Sequence, residues 1–356
     1  MSPGPCHTPA HDICHPQVTT ADTAGRTPPS ARLMAMTATT AVSAPGTGAA
    51  TTGAPPVVRF EKVNKSYGSV RAVTDLDLAL YPGETVALLG PNGAGKSSSL
   101  DLLLGLRHPD SGRVEVFGTT PRRAIVRGRV GAMLQSGSLM EEVTVRELVG
   151  LACDLHPKGH PVDEVLERAG LAGIASRKVN KLSGGQEQRV RFAFATAGAS
   201  DLIVLDEPTT GMDVASRQTF WGAMREQAKQ GRAILFATHY LEEADAVADR
   251  VIVLHRGRVL ADGSSAEIKA MAGARRISFE LDGPIDRAAL GALPALTGVE
   301  ISGRTVRIRS TDADATVHAV YGLGLYPRGL EVTGLGLEQA FLAITDAATA
   351  DEESAR

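Results

Sequence analysis

The chain has 356 residues, a formal net charge of -3 and three cysteines, and 43% of its residues are hydrophobic. This length can bury the core of one medium domain and a smaller one, whereas the near-neutral charge gives no chain-wide electrostatic attraction to nucleic acid. The sequence has no run of about 18 apolar residues for a membrane-spanning helix, and too few cysteines for a disulfide framework, which favours a reducing compartment.

Residues 1–56 are rich in Ala, Thr, Pro and Gly and show little apolar periodicity. Such a segment buries too little surface to offset its chain entropy, so we expect a disordered N-terminal tail. It contains five potential metal ligands: Cys6, His7, His11, Cys14 and His15. A metal site would need an ordered fold around them, and the alternative is a tail that carries them without binding. Met34 and Met36 suggest another hypothesis, in which translation starts at one of them and residues 1–35 are not native.

Order is predicted to begin near Val57. Alternating or continuous apolar residues predict strands at 57–60, 72–80 and 84–89, with a turn at 65–68. Leucines at helical spacing predict a helix at 97–106.

Between the third strand and this helix lies a glycine-rich loop with the spacing of a phosphate-binding motif. Its residues are Gly90, Pro91, Asn92, Gly93, Ala94, Gly95, Lys96 and Ser97, followed by Ser98. Glycines let backbone N–H groups approach phosphate oxygens, and the helix points its positive end at them. Lys96 adds a positive charge at the β- and γ-phosphates, and the Ser97 hydroxyl can ligate Mg²⁺. The strand and helix on either side are the context that this motif requires.

A second α/β stretch follows a mostly helical region at 144–179. Its strands are predicted at 202–206, 232–238 and 251–255, and its helices at 215–230 and 241–249. Strands that alternate with helices predict a mostly parallel sheet covered on both faces.

Asp206 ends the first of these strands, which places its carboxylate at the carboxyl edge of the sheet beside the loop. We expect it to coordinate Mg²⁺ and expect Glu207, the next residue, to orient or deprotonate an attacking water. The alternative is a solvated acidic turn before Pro208.

Upstream of Asp206 lies the pentapeptide Leu182-Ser183-Gly184-Gly185-Gln186. The phosphate-binding loop, this pentapeptide and the Asp-Glu pair, in this order, resemble the ATP-binding cassette (ABC) proteins over about residues 57–270. The resemblance implies an α/β P-loop NTPase cassette with a mostly parallel sheet, an antiparallel β edge and a helical subdomain at about 136–190. It also implies that Ser183, Gly184, Gly185 and Gln186 of one subunit complete the ATP site of another, in a head-to-tail dimer that holds two ATP molecules.

The same resemblance assigns four single residues. Tyr67 matches the aromatic position that stacks on adenine, although it can also be a turn tyrosine at a strand edge. Gln135 matches the glutamine that senses Mg²⁺ and the γ-phosphate and faces the transporter partner. Asp213 matches the loop that links the two sites of the dimer, and His239 matches the histidine that approaches the γ-phosphate.

The pattern changes after about residue 271. Strands at 276–281, 299–302, 305–310 and 329–333 and helices at 286–293 and 312–322 give the order β-α-β-β-α-β of a small ferredoxin-like domain. An amphipathic helix is predicted at 336–345 and a frayed tail at 347–356. The expected domains are therefore a cassette at 57–270 and a small α+β accessory domain at 271–346.

Residues 143–148, 237–244 and 334–343 resemble ATPase subunits of prokaryotic drug and antibiotic exporters, which pair with a separate permease. This implies an ATP- and Mg²⁺-dependent ATPase at the cytoplasmic face of the membrane, with a second ATP-binding subunit and a transmembrane permease as partners and no nucleic acid. The accessory domain would support the dimer or recognise something else.

Two alternatives belong to other classes. A soluble cassette ATPase that acts on ribosomes or DNA is disfavoured because the chain has one cassette, no heptads and no basic arm. A P-loop GTPase is disfavoured because the chain lacks an Asn-Lys-x-Asp motif, and it would leave the pentapeptide unexplained.

Overall fold

The computed structural model describes residues 54–354 apart from residues 136, 284 and 285, and for 351–354 it describes the backbone only. Three predictions therefore lie outside the described residues: the disordered tail up to residue 53, the group of cysteines and histidines, and the alternative start at Met34 or Met36.

The helices and strands follow one another in four stretches. The first contains β1 (Val58–Tyr67), β2 (Val70–Leu80), β3 (Thr85–Leu89), α1 (Lys96–Leu103), β4 (Ser111–Val116), α2 (Pro121–Val126) and β5 (Val130–Met133). The second is mostly helical and contains α3 (Val145–Leu155), α4 (Val162–Arg168), two 3-10 turns (Ala172–Ile174 and Val179–Lys181) and α5 (Gly184–Ala195). The third contains β6 (Leu202–Asp206), α6 (Val214–Lys229), β7 (Ala233–Ala237), α7 (Leu241–Val247), β8 (Arg250–His255), β9 (Arg258–Gly263) and α8 (Ser265–Met271). The fourth contains β10 (Arg275–Glu280), α9 (Arg287–Gly291), β11 (Leu296–Ser302), β12 (Thr305–Ser310), α10 (Ala313–Gly322), β13 (Arg328–Gly334) and α11 (Leu337–Ser354).

The central sheet has six strands in the order β5-β6-β7-β3-β8-β9, and all are parallel except β9, which runs antiparallel to β8. Every residue of β3, β6 and β7 is buried, because helices and a second sheet cover both faces. The predicted α/β architecture is confirmed. The carboxyl ends of these three strands carry Gly90, Asp206 and His239 to one edge of the sheet.

A three-stranded antiparallel sheet, β2-β1-β4, forms the predicted β edge. The predicted turn at 65–68 is wrong for its first three residues, because β1 continues through Tyr67, which pairs with Val70 of β2. Gly68, with a φ of 59°, forms the actual turn. The polar residues Lys65 and Ser66 gave no sign of a strand in the sequence. This end of β1 is poorly buried, and apolar and polar residues do not alternate clearly there.

The fourth stretch forms an antiparallel sheet in the order β11-β12-β10-β13. This is the strand order of a ferredoxin-like β-α-β-β-α-β unit, as predicted. Its apolar core contains Ile277, Phe279, Leu290, Val306, Ile308 and Val320.

Helix α11 is longer than predicted. It continues to Ser354 rather than ending at residue 345, so residues 347–354 are helical and not frayed. It packs on α7, α8 and β9, and Leu337 is buried in the same core as Ala244 and Ile268. The alanine-rich sequence favours the longer helix, and the Thr349 hydroxyl donates to the Thr345 carbonyl inside it. None of the helices within residues 54–354 has the length and apolar character needed to cross a bilayer.

Candidate functional site

The glycine-rich loop needs glycine at two of its positions. Gly95 has a φ of 103°, and a Cβ there would lie 2.3 Å from the carbonyl oxygen of Ala72. A Cβ on Gly90 would lie 2.5 Å from the carbonyl oxygen of Leu254. Any larger residue would push the loop off β2 and β8, so the glycines hold the backbone close to the sheet edge.

Lys96 is buried beneath this loop, with 8% of its surface exposed. Its Nζ donates hydrogen bonds to the carbonyl oxygens of Gly90, at 2.6 Å, and Pro91, at 3.3 Å. Burial lowers the pKa of the ammonium, and the nearby carboxylates of Glu207 and Asp206 oppose this shift. A buried cation whose hydrogen-bond acceptors are carbonyl oxygens is suited to a polyphosphate, which would supply charged acceptors in direct contact.

Asp206 lies across from the first turn of α1. The Ser97 hydroxyl donates to Asp206 Oδ2 at 3.3 Å. Burial raises the pKa of the Asp206 carboxyl, and the charge of Glu207 raises it further. A hydroxyl and a carboxylate side by side are oxygen ligands of the kind that Mg²⁺ prefers, so these residues fit the ion that the sequence predicts.

Glu207 forms a close pair with His239: Oε2 lies 2.6 Å from Nδ1. Glu207 is only 8% exposed, whereas the histidine ring is about half exposed. Glu207 has a φ of 50°, a strained conformation for a residue with a side chain, and its backbone N–H donates to the Ala237 carbonyl. The arrangement aims a carboxylate at the sheet edge, with a histidine that can hold it or exchange a proton with it.

These groups share one cleft of about 590 Å³. Its lining contains Tyr67, Asn92, Gly93, Ala94, Gly95, Lys96, Ser97, Ser98, Gln135, Asp206, Glu207 and His239. Gly90 and Pro91 contribute through the carbonyls that hold Lys96. Tyr67 occupies the strand edge named in the alternative interpretation, and its ring is 41% exposed at the rim of the cleft. The stacking role of Tyr67 and the roles of the other lining residues stay predictions.

The pentapeptide and Asp213 do not line this cleft. Ser183 caps α5: its hydroxyl accepts from the Gln186 N–H, and the Gln186 side chain accepts from the Ser183 N–H. Asp213 caps α6 and accepts hydrogen bonds from the N–H and hydroxyl of Ser216, which hold the pKa of Asp213 below its ordinary value. Arg189 of α5 donates to the Ser216 hydroxyl at 3.0 Å. Arg189 therefore joins α5 to the capped first turn of α6, and the exposed Gly184 lies at the start of α5, outside the cleft.

Sequence reasoning missed a buried acid behind the catalytic pair. The Thr209 hydroxyl lies 2.8 Å from both carboxyl oxygens of Glu243, and both residues are buried. Burial raises the pKa of Glu243. Arg217 lies 3.7 Å from Glu243 and over the ring of Tyr240, which in turn packs on the His239 ring. The sequence did offer a sign of this buried acid. Glu243 lies four residues before Val247, on the apolar side of α7, where a charged side chain is expected to be buried.

Comparison with known proteins gives concordant results. A family model described as ABC transporter matches residues 73–210. A Nod factor export ATP-binding protein I from Paraburkholderia xenovorans (strain LB400) is 38% identical over 276 residues, 74% of this chain and 88% of that protein. A daunorubicin resistance ATP-binding protein, DrrA3 of Streptomyces coeruleorubidus, is 35% identical over 301 residues, 81% of this chain and 95% of that protein.

Two solved structures agree with these relatives. An ATP binding subunit of an ABC transporter superimposes with a TM-score of 0.57 at 27% identity, covering 61% of this chain and 93% of that one. A dimeric ATP-binding cassette in a post-hydrolysis state, bound to ADP and Pi, superimposes with a TM-score of 0.54 at 28% identity, covering 58% of this chain and 98% of that one.

Proposed function

This chain belongs to the ATP-binding proteins of ABC transporters, and on that premise we propose that it powers a separate transmembrane permease that exports a drug, an antibiotic or another hydrophobic compound. It is an ATPase of the exporter type. The observation that carries the proposal is the cleft in which Lys96, Asp206, Glu207 and His239 meet.

In the proposed reaction the loop amides and Lys96 hold the phosphates of ATP. Ser97, Asp206 and Gln135 would hold Mg²⁺, which neutralises phosphate charge when it is bound. Glu207 accepts the proton of the attacking water. His239 keeps Glu207 turned toward the cleft. Tyr67 stacks on the adenine ring of ATP.

We also propose a homodimer as the active ATPase. Ser183, Gly184, Gly185 and Gln186 form a capped helix start with a hydroxyl and with the N–H groups of Gly184 and Gly185, a second surface for phosphate. Because this surface lies outside the cleft of its own chain, a second copy has to supply it. The dimeric cassette with ADP and Pi supports this assembly, and Asp213 beside the pentapeptide would link the two sites.

The transported compound and the location are proposals from relatives. One is named for Nod factor export and another for daunorubicin resistance, so export is common to both names while the cargo differs. We place the chain at the cytoplasmic face of the membrane, with residues 57–270 as the cassette and 271–346 as an accessory domain. The alternative, a soluble ATPase acting on ribosomes or DNA, has no support from these relatives.

The proposal is tested by purifying the full chain from detergent-solubilised membranes of its native cell. We expect a permease with several apolar spans to co-purify, and ATP hydrolysis to rise when that permease is reconstituted with the chain. A Glu207→Gln chain should capture the same permease without the hydrolysis. Recovery with ribosomes or DNA, and with no membrane protein, would contradict the proposal.

A further inference from the structure

Three arginines lie together on the outer face of the small sheet: Arg276 on β10, and Arg307 and Arg309 on β12. Their neighbours Ile277, Val306 and Ile308 point into the core, so the arginines point away from it. Arg276 and Arg309 are direct cross-strand partners. Like charges at directly opposed positions destabilise a sheet, so this pairing needs an explanation.

Within the described residues, these arginines have no carboxylate in direct contact. The guanidinium groups of these three arginines form neither an ion pair nor a hydrogen bond with the side chains or backbone of residues that the structure describes, although their backbones take part in the β-ladders. Two other arginines of the same sheet, Arg304 and Arg328, share the carboxylate of Asp282. Some arginines of this domain are therefore paired with a carboxylate, whereas the three of the cluster are not.

The cluster surrounds a cavity of about 380 Å³, which we call the arginine cavity. It is lined by Arg276, Glu300, Arg307, Arg309 and Gln339, with a formal charge of +2. Glu300 is the cross-strand partner of Arg307 but makes no ion pair with it among the described residues. One carboxylate thus leaves most of the positive charge uncompensated.

The walls of the arginine cavity are shaped by two further residues. Gly298 lies opposite Arg309, and a Cβ there would come within 2.9 Å of the Arg309 guanidinium. The absence of a side chain lets that guanidinium lie across β11. Gln339, on the first turn of α11, accepts a hydrogen bond from the Gly336 N–H through Oε1 at 2.7 Å, which leaves its amide N–H groups as donors.

We propose that the arginine cavity binds the phosphate group of a multiply charged phosphorylated ligand. All lining side chains except Glu300 are donors, and three of them are planar guanidinium forks that match phosphate oxygens in pairs. A metal ion would be repelled by this charge. The lining has no aromatic ring, so the phosphate rather than a base is the recognised group. This site is distinct from the ATP cleft and lies at the junction between the small sheet and α11.

Binding of pyrophosphate to the full chain tests the proposal. Every chain in this experiment, including the unaltered reference, carries Lys96→Ala, which removes the buried cation of the ATP cleft without adding a phosphorylated competitor. We expect one equivalent of labelled pyrophosphate to bind, and the double variant Arg307→Gln/Arg309→Gln to bind it at least about tenfold more weakly, because each charge-assisted bond lost costs about that factor.

The matched control is Arg122→Gln/Arg123→Gln, which removes two exposed arginines from α2 in the cassette. It should bind pyrophosphate like the unaltered chain. Equal weakening in both double variants would mean that only net charge matters and would overturn the site.

Co-sedimentation with vesicles distinguishes a free phosphorylated ligand from a lipid headgroup. The full chain is mixed with phosphatidylcholine vesicles that contain or lack phosphatidylglycerol. Sedimentation that needs the anionic lipid and is lost in Arg307→Gln/Arg309→Gln identifies a headgroup; pyrophosphate binding without such sedimentation identifies a free ligand. If neither probe shows a dependence on Arg307 and Arg309, the proposal is wrong.

Discussion

The ATP cleft and the surface that carries the pentapeptide differ in how complete they are. The cleft brings together residues from β1, the glycine-rich loop, β6 and the segment after β7, and its charged groups interact directly: Glu207 contacts His239 and Ser97 contacts Asp206. On the other surface, Ser183 and Asp213 cap helices, and their side chains accept hydrogen bonds from the first turns of α5 and α6. The first region is an assembled cleft, and the second is a capped helix start at which the N–H groups of Gly184 and Gly185 have no acceptor among the described residues.

The difference is what the proposed dimer requires, in which one chain supplies two unlike halves of a site. A capped helix start keeps its shape without a ligand, so the pentapeptide surface can have its final shape before ATP binds to it. In the cleft, by contrast, burial shifts the pKa values of Lys96 and Asp206, so its charged groups are partly removed from solvent.

The largest expected effect follows from Glu207→Gln, which removes the proposed proton acceptor but keeps the side-chain size. Hydrolysis should fall by about 100-fold to 10,000-fold while ATP still binds, because general-base catalysis contributes that range. Turnover and ATP binding are measured on the same preparation, and the ATP-bound dimer should accumulate. Full turnover would refute the assigned role.

Ser183→Arg tests the opposite region. A large side chain at the start of α5 should weaken the ATP-dependent dimer by about tenfold to 100-fold, since overpacking a fitted interface costs about 1–3 kcal/mol. ATP binding by the single chain should be nearly unchanged. Analytical ultracentrifugation with and without ATP gives the measurement, and Ser302→Arg, at an exposed position of β11, is the matched control. Dimerisation equal to that of the control would contradict the two-half interpretation.

Thr209→Val tests whether the buried carboxyl group of Glu243 affects catalysis in the cleft. The variant keeps the shape but removes the hydroxyl that donates to Glu243, which leaves a buried carboxyl group without that donor. We expect kcat to fall by about tenfold with KM for ATP nearly unchanged, because Glu243 is linked to His239 through Arg217 and Tyr240. Thr219→Val removes a hydroxyl that donates within α6 and should leave kcat unaltered.

The smallest effect concerns pH. The pKa of Glu243 is raised in the folded protein, so its stabilising contribution is complete below the ordinary glutamate pKa and is lost as the pH rises through the folded value. Glu243→Gln cannot ionise. The melting temperature of the unaltered chain should therefore fall relative to the variant as the pH rises above the ordinary glutamate pKa of 4.5. A difference that is constant with pH would show that Glu243 does not titrate in this range.

Much of the cleft could be predicted from the sequence because its residues follow buried strands. Strand β6 was predicted at residues 202–206, where it is found, and an apolar run that ends in Asp-Glu fixes where those carboxylates emerge. The sequence could not predict that the side chains of Glu207 and His239 are in direct contact. This pairing depends on β6 lying beside β7, a contact between strands separated by a helix of sixteen residues.

Long-range packing explains the remaining differences. The contact between Thr209 and Glu243 joins residues 34 positions apart, and the end of α11 depends on its packing against α7 and α8. The arginine cavity also depends on long-range contacts. Arg276 and Arg309 are neighbours only because of the register in which β10 pairs with β12. Periodicity assigns a residue to a face of an element, but not to its partner on another element.

The sequence by itself determined the family, the order of motifs and the chemical groups offered to ATP, because these depend on residue types at short spacing. The tertiary structure alone decided which of those groups meet. It placed the cleft residues together, kept Ser183 and Asp213 apart from them, and directed α11 onto the cassette. The physical reason is that burial and strand register, which set those distances, arise from contacts between remote parts of the chain.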